Sequence, residues 1–255
     1  MTVSKNRVIR VLITRPSPQA EELAACLAGE GIESTVLPMV KITPLPFAST
    51  PLPDLSVYDK VVAVSAPAVH LALKWAPANI GKPLWFTLGP ATAAVLAAHN
   101  VMVYSPKSEA TSEGLLRLPG LQYVQQERIL LLKGEGGRTL LECTLRQRKA
   151  SVTALSLYTR CSPDYSAEQV RGKVLFPPIN AIVVTSVEVL DNLVSYMSLA
   201  GLTSVMHAFV LVPSGRVARS ARQRGFTKVI NCEGASHRVM TEALLSLADR
   251  LRHDL

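Results

Sequence analysis

Small hydroxylated residues or glycines stand directly after several short aliphatic runs in this 255-residue chain. Where such a run is a strand followed by a helix, these residues begin a helix whose first N–H groups are unpaired and whose dipole end is positive. A turn of this kind binds carboxylate or phosphate groups, although a single Ser or Thr there can simply cap its helix. The repetition in one chain predicts a ligand with many anionic groups. The residues are Ser65, Gly89 with Thr92, Ser186, and Ser214 with Gly215.

Basic residues flank the same kind of turn. Arg15 ends the first predicted strand, Lys133 and Arg138 flank the glycine-rich segment Gly134–Gly137, and Arg216 lies in the first turn of a predicted helix. Each could equally be a charge exposed to water, and that alternative stays open. The formal net charge of +8 favours an anionic ligand for the chain as a whole.

The standard signatures of metal, nucleotide or nucleophilic-triad catalysis do not occur in the sequence. Gly134-Glu135-Gly136-Gly137 opens a predicted helix, but the third glycine of a dinucleotide fingerprint would fall on Thr139. The five histidines are isolated and the four cysteines form no CxxC pair. We therefore expect no cofactor and no metal. Aromatic residues make up only 5% of the chain, which does not favour a nucleic-acid partner, and no apolar run approaches the roughly 20 residues of a membrane helix.

Short β-rich runs alternate with amphipathic helices along almost the whole chain. Strands joined by single helices pair in parallel, so their carboxyl ends, and the turns described above, share one edge of a sheet. One predicted helix, Gly137–Gln147, begins inside the glycine-rich segment. The predicted strands are Val8–Thr14, Lys60–Val64, Leu84–Leu88, Val101–Tyr104, Arg128–Leu132, Ala181–Thr185, Phe209–Val212 and Lys228–Asn231.

An internal repeat predicts two halves of one design. Val61–Ser65 is similar to Ile182–Ser186, and Gly89–Ala93 aligns with Ser214–Ala218. A chance match between βα units that share only a hydrophobic pattern is the alternative.

Two extended segments interrupt the alternation, Thr35–Pro46 and Ser151–Pro163. They predict a two-stranded hinge between an inserted domain and a domain that contains both chain ends. We expect residues 1–36 and 164–255 in one domain, residues 43–157 in the other, and connectors at 37–42 and 158–163.

Several segments resemble the uroporphyrinogen-III synthase family. Val11–Pro16 resembles the N-terminal strand of that family, and Leu132–Arg138 resembles a central segment that continues to Leu157–Arg160. Val184–Ser186 and the turn around Gly89 also match. The resemblance covers nearly the whole chain in the same order.

The resemblance implies an α/β fold of two flavodoxin-like parallel-sheet domains joined by a two-stranded β-ladder hinge. It implies cyclisation of linear hydroxymethylbilane to uroporphyrinogen III, with inversion of ring D through a spirocyclic intermediate, in tetrapyrrole (heme) biosynthesis. No cofactor is needed, and the many carboxylates of the substrate suit the positive charge of the chain. A cytoplasmic monomer is expected, with no membrane partner and with a transient contact to the preceding enzyme of the pathway.

Tyr158 is the candidate catalytic residue. It lies beside Thr159 and Arg160 on the second connector, from which its phenol is expected to reach the cleft between the domains and protonate the departing hydroxyl. A tyrosine packed on the hinge for its ring alone is the alternative. The alternative function is a two-lobed binding module for an anionic metabolite, which needs no proton donor. Nucleic-acid binding is a third possible function, and an affinity that falls steeply with salt would indicate it.

Overall fold

The computed structural model describes residues 9–46, 53–75, 79–107 and 109–253. The chain divides into two compact units, which we call unit 1 (Met1–Lys41 and Cys161–Leu255) and unit 2 (Ile42–Arg160). Each unit contains one sheet with its own hydrophobic core, and parallel strand pairs dominate both sheets, which confirms the predicted α/β fold class. The finer limits expected for the two connectors stay a prediction.

The elements follow one another in strict alternation over much of the chain. The strands are β1 (Arg10–Ile13), β2 (Glu33–Val36), β3 (Lys41–Pro44), β4 (Lys60–Ala63), β5 (Leu84–Thr87), β6 (Val103–Tyr104), β7 (Arg128–Gly134), β8 (Ser151–Cys161), β9 (Ala181–Val183), β10 (Phe209–Val212) and β11 (Lys228–Asn231). The helices are α1 (Gln19–Gly29), α2 (Ala66–Trp75), α3 (Pro90–Ala97), α4 (Ser112–Leu116), α5 (Pro119–Gln122), α6 (Leu140–Gln147), α7 (Ala167–Leu175), α8 (Val187–Leu199), α9 (Gly215–Gln223) and α10 (His237–His253).

The sheet of unit 1 has the strand order β11-β10-β9-β1-β2, with parallel pairing throughout. From β1 the chain adds β2 on one side, and β9 to β11 are added on the other side. The strand order therefore reverses between β1 and β9, where Leu12 pairs with Ile182. In open α/β sheets, ligands bind outside the carboxyl ends of the strands at such a switch point. An aliphatic cluster that includes Val11, Leu23 and Leu244 fills the core on one face of the sheet.

The sheet of unit 2 has the strand order β3-β8-β7-β4-β5-β6. The chain proceeds from β4 to β5 and β6 on one side, and then returns to place β7 and β8 on the other. Its switch point therefore lies between β4 and β7, which pair in parallel with Val61 opposite Leu130. Alternate residues of these strands face opposite sides, so Val61 and Leu130 pack with Trp85 in one cluster and Val62 packs with Phe86 in another.

Two predicted elements differ in the structure. Helix α6 begins at Leu140, not Gly137, because Gly136 and Gly137 have φ values of 73° and 83° and lie in the left-handed region. The segment Thr35–Pro46 is not one strand, since β2 ends at Val36 and β3 begins at Lys41. Of the predicted strand Val8–Thr14, Val8 lies outside the described residues.

Candidate functional site

Arg15 lies at the switch point of unit 1, just beyond the carboxyl end of β1. Its side chain is only 5% exposed, and the buried Nε and Nη1 atoms have no hydrogen-bond partner among the described residues. Burial lowers the pKa of Arg15, against the opposing effect of the Glu22 carboxylate. Buried donors without acceptors reduce the free energy of unfolding. An anion that accepts these N–H groups would remove that cost.

Two acid–base groups lie near Arg15, both on neighbouring helices of unit 1. The Nε2 atom of His237, at the start of α10, is 3.6 Å from Glu22 Oε2 in α1. Burial lowers the pKa of His237; the Arg15 charge acts in the same direction, and Glu22 acts in the other. The Glu22 carboxylate thus acts on Arg15 without accepting a hydrogen bond from its Nε or Nη1.

Ser186 and Ser214 cap the helices that follow β9, which pairs with β1, and β10, which pairs with β9. Ser186 Oγ accepts a hydrogen bond from the N–H of Val189 at 3.2 Å, and Ser214 Oγ accepts one from Val217 at 3.5 Å. Three adjacent strand ends therefore carry Arg15 and two helix N-termini at one edge. Both hydroxyls accept from their own helices and keep an O–H donor, and the other backbone N–H groups of each first turn add further donors for a ligand.

Gly215 and Arg216 are exposed in the first turn of α9. A Cβ at Gly215 would meet only Arg219 Nη1, at 3.9 Å, so the fold itself does not require glycine there. Because glycine has no side chain, the backbone here is accessible to a ligand, and the exposed Arg216 side chain begins in the same turn.

A cavity of about 220 Å³ lies at the carboxyl edge of the sheet in unit 2, beside its switch point. Its wall includes Val64 after β4, Leu88 after β5, and the glycine-rich turn between β7 and α6. Three lining residues are basic (Lys133, Arg138 and Arg160) and one is acidic (Glu135), so positive charge predominates. The cavity therefore combines positive side chains with backbone N–H groups that precede a helix, an arrangement that favours an anion.

Arg138 already has an acidic partner at the mouth of this cavity. Its guanidinium forms a two-point contact with Glu113, with Nη1 and Oε2 3.2 Å apart. The hydrogen bonds to Glu113 raise the pKa of Arg138, and those from Arg138 lower the pKa of the Glu113 carboxyl. Both side chains are exposed, so an anionic ligand must compete with Glu113 for Arg138, whereas Lys133 is half-buried at the end of β7.

Tyr158 is buried within unit 2, in contrast to the open position that the sequence led us to expect. Its side chain is 1% exposed and packs in the cluster that contains Val61 and Trp85. Its hydroxyl lies 2.9 Å from Ser65 Oγ and 3.5 Å from Arg160 Nη2. The ring therefore packs in the core, while the hydroxyl contacts the polar side chains of Ser65 and Arg160. A role as proton donor stays a prediction.

The family model described as uroporphyrinogen-III synthase HemD matches residues 21–242. The chain belongs to the uroporphyrinogen-III synthase family. The uroporphyrinogen-III synthase of Escherichia coli strain K12 is 33% identical over 245 residues, which cover 92% of this chain and 99% of the relative. The corresponding protein of Salmonella typhimurium is 32% identical over 255 residues, with the same coverage of both chains. The resemblance seen in the sequence is confirmed.

Solved structures of uroporphyrinogen-III synthases share the fold. The structure from Helicobacter pylori has a TM-score of 0.61 at 13% identity, and it covers 94% of this chain and 99% of that chain. A mutant from the extreme thermophile Thermus thermophilus has a TM-score of 0.55 at 16% identity with the same coverage. Both support the fold of two α/β units with mainly parallel sheets described above.

Gly89 and Thr92 form the start of α3, after β5. Gly89 is the N-cap residue, and a Cβ there would lie 2.9 Å from the Cβ of Ala110. Close packing against Ala110 is therefore enough to explain why glycine occupies position 89, and no ligand is needed for that explanation. Thr92 is only 8% exposed, so the N–H groups of this turn are better placed than its hydroxyl to meet a substrate.

Arg160 lines the cavity of unit 2, although it was not among the site residues predicted from the sequence. A signal was present in the sequence, because residues two apart in a strand face the same side and Tyr158 had already been selected. In β8 this spacing places the Arg160 guanidinium 5.9 Å from the centroid of the Tyr158 ring. Within the described ranges, no group of three or more His, Cys, Asp or Glu side chains could hold a metal ion.

Gly134 is needed for the observed position of Tyr158. A Cβ at Gly134 would lie 2.7 Å from both Cε2 and Cζ of the Tyr158 ring and 3.0 Å from its hydroxyl. We expect Gly134→Ala to displace the ring and to lower the rate of cyclisation roughly tenfold or more, since misplacement of a reacting group is costly. Gly172→Ala is the matched control, because a Cβ there meets nothing within 4 Å. Equal rates for the two variants would contradict this assignment.

Proposed function

We propose that this chain cyclises hydroxymethylbilane to uroporphyrinogen III, with inversion of ring D through a spirocyclic intermediate, in tetrapyrrole biosynthesis. The observation that carries the proposal is the match to uroporphyrinogen-III synthases over nearly the full length of this chain and of its relatives. The basic, helix-capped edges of both units support it, because the substrate bears acidic side chains on every pyrrole ring.

The acidic side chains of the substrate bind at the carboxyl edge of each sheet. Unit 1 contributes its buried arginine and two helix N-termini, and unit 2 contributes a basic cavity and the start of α3. Backbone N–H groups at the helix N-termini supply most of the hydrogen bonds, and the capping serine hydroxyls add their own protons. The proposed binding residues are Arg15, Gly89, Thr92, Lys133, Arg138, Ser186, Ser214, Gly215 and Arg216, together with Ser65.

Positioning is the main contribution of the protein to the reaction. Loss of the terminal hydroxyl gives an azafulvene, which attacks the substituted carbon of ring D; the spirocyclic product then fragments and recloses. The free substrate also cyclises unaided, to the isomer without inversion. An enzyme that fixes the conformation of the chain selects the other outcome without a strong nucleophile. Tyr158 is the general acid that supports loss of this hydroxyl.

This distributed binding predicts small effects for single hydroxyl groups that only bind the substrate, such as those of Ser186 and Thr92. Ser186→Ala and Thr92→Val each leave the backbone donors in place, so kcat/KM is expected to fall less than about tenfold, or ~1.4 kcal/mol, the value of one hydrogen bond. The measurement is initial rate at low substrate concentration, with circular dichroism to confirm folding. A loss of a hundredfold or more in a folded variant would contradict distributed binding.

Turnover of hydroxymethylbilane with isomer analysis of the oxidised porphyrins tests the proposed function. We expect isomer III to dominate with the protein and isomer I to dominate in a matched reaction without it. Binding of the substrate with isomer I unchanged would instead support a module that only binds anionic metabolites.

The proposal includes a cytoplasmic monomer that contacts the preceding pathway enzyme transiently. Cys26, Cys143 and Cys232 are free thiols, which suits a reducing compartment. None of the helices in the described ranges has both the length and the apolar composition to cross a bilayer. Sedimentation of the chain, alone and mixed with the enzyme that makes hydroxymethylbilane, tests both parts.

A further inference from the structure

Three side chains in unit 2 form a continuous polar connection from a cation to the carboxyl end of β4. Arg160 Nη2 is 3.5 Å from the Tyr158 hydroxyl, and that hydroxyl is 2.9 Å from Ser65 Oγ. Ser65 Oγ also accepts from the backbone N–H of Ala68 at 3.4 Å. Ser65 is half-buried, whereas Tyr158 is buried almost completely. Ser65 is therefore the member of this connection that a ligand outside the sheet reaches first.

The chemistry of the groups gives the connection a direction. A guanidinium has only donors, so Arg160 donates to the Tyr158 oxygen and leaves the phenol proton to point elsewhere. The only other partner recorded for that hydroxyl among the described residues is Ser65 Oγ. The Ser65 oxygen then accepts from Tyr158 and from Ala68, which occupies both of its lone pairs. Its own proton remains to be donated away from the protein core.

We propose that Ser65 passes the proton to the departing hydroxyl of the substrate, and that Tyr158 replaces this proton from inside the core. This inference rests on the proposed function and deepens it, since Tyr158 acts through Ser65. Arg160 is a positioning residue that stabilises the phenolate formed for a moment beside it.

The protons and electrons balance without any added reagent. The carbon–oxygen bond of the hydroxymethyl group breaks, and its electron pair leaves with the oxygen. The Ser65 proton joins this oxygen to release water, while the Tyr158 proton moves to Ser65 Oγ. Closure of the ring later releases one proton from carbon, and this proton returns through Ser65 to the Tyr158 phenolate.

A double-mutant cycle of Ser65→Ala and Tyr158→Phe tests the proposal. Because both residues serve one proton transfer, each variant is expected to lose roughly 10- to 1000-fold in kcat, and the double variant loses no more than about the worse single one. Ser65→Thr keeps the hydroxyl and is expected to recover most of the rate. Ser166→Ala, which removes the cap of α7 in the same way, is the matched control with unchanged kcat.

Losses that multiply in the double variant, or a Ser65→Ala rate within twofold of the parent, would overturn the proposal. A second measurement needs no variant. The single-turnover rate of the parent is measured at several mole fractions of D₂O. Because two protons move together in the relay, a plot of rate against D₂O fraction should be curved. A linear plot would overturn the relay. Failure of the parent to form isomer III would instead refute the proposed function itself.

Discussion

Tyr158→Phe is expected to lower kcat roughly 10- to 1000-fold and to leave isomer III as the main product. The substitution keeps the ring in the core and removes only the hydroxyl that contacts Ser65. The loss is smaller than for deletion of a nucleophile, because the leaving group also departs unaided. Isomer III persists because the strand-end turns continue to hold the substrate. Rates and isomer ratios from the same reactions measure both effects.

A fully exposed tyrosine of unit 2 provides the control for this variant. Tyr123 is 88% exposed, so Tyr123→Phe should leave the rate and the melting temperature unchanged. If Tyr158→Phe retains activity within twofold of the parent, the hydroxyl has no role in proton transfer and Tyr158 serves only to pack the core. If the variant made mainly isomer I, Tyr158 would instead control conformation.

Arg15→Met is expected to raise KM about 10- to 100-fold and to raise Tm. A hydrogen bond between charged partners contributes about 1.5–3 kcal/mol, which sets the size of the first effect. The second effect follows because the guanidinium is buried with Nε and Nη1 unpaired, and an apolar side chain of similar length removes that cost. Steady-state kinetics and thermal melts of the same preparation measure the two changes.

Arg10→Met is the matched control for Arg15. Arg10 begins β1, the strand that Arg15 follows, and its Nε pairs with Glu33 at 2.9 Å near the surface. Loss of such a pair costs at most about 1 kcal/mol and should not change KM. A lower Tm with unchanged KM in Arg15→Met would make Arg15 a structural residue and exclude it from substrate binding.

The parts of the site that depend on neighbours in sequence could be predicted. Ser186 and Ser214 stand between an aliphatic run and an amphipathic helix, and both cap their helices in the structure. Parallel pairing then brings their strand ends to one edge, as the alternation of strands and helices requires.

The parts that depend on packing between distant segments could not be predicted. Nothing in the residues around Arg15 or Tyr158 indicates that both side chains are buried, since this follows from contacts with elements far away in the chain. The late start of α6 depends on the left-handed conformations of Gly136 and Gly137, which either glycine could adopt or avoid. The contact of Ser65 with Tyr158 joins residues in two different strand regions of unit 2, so no local motif reveals it.

A map of backbone amide shifts on binding of uroporphyrinogen III tests directly whether the strand-end turns of both units bind the substrate. We expect the amides of the first turns of α8 and α9 to shift in unit 1, and those of Gly134–Gly137 and the start of α3 to shift in unit 2. The measurement uses the ¹⁵N-labelled chain without oxygen, and residues on the opposite edges of the sheets serve as internal controls. Shifts that appear in one unit only, or away from the carboxyl edges of the strands, would contradict it.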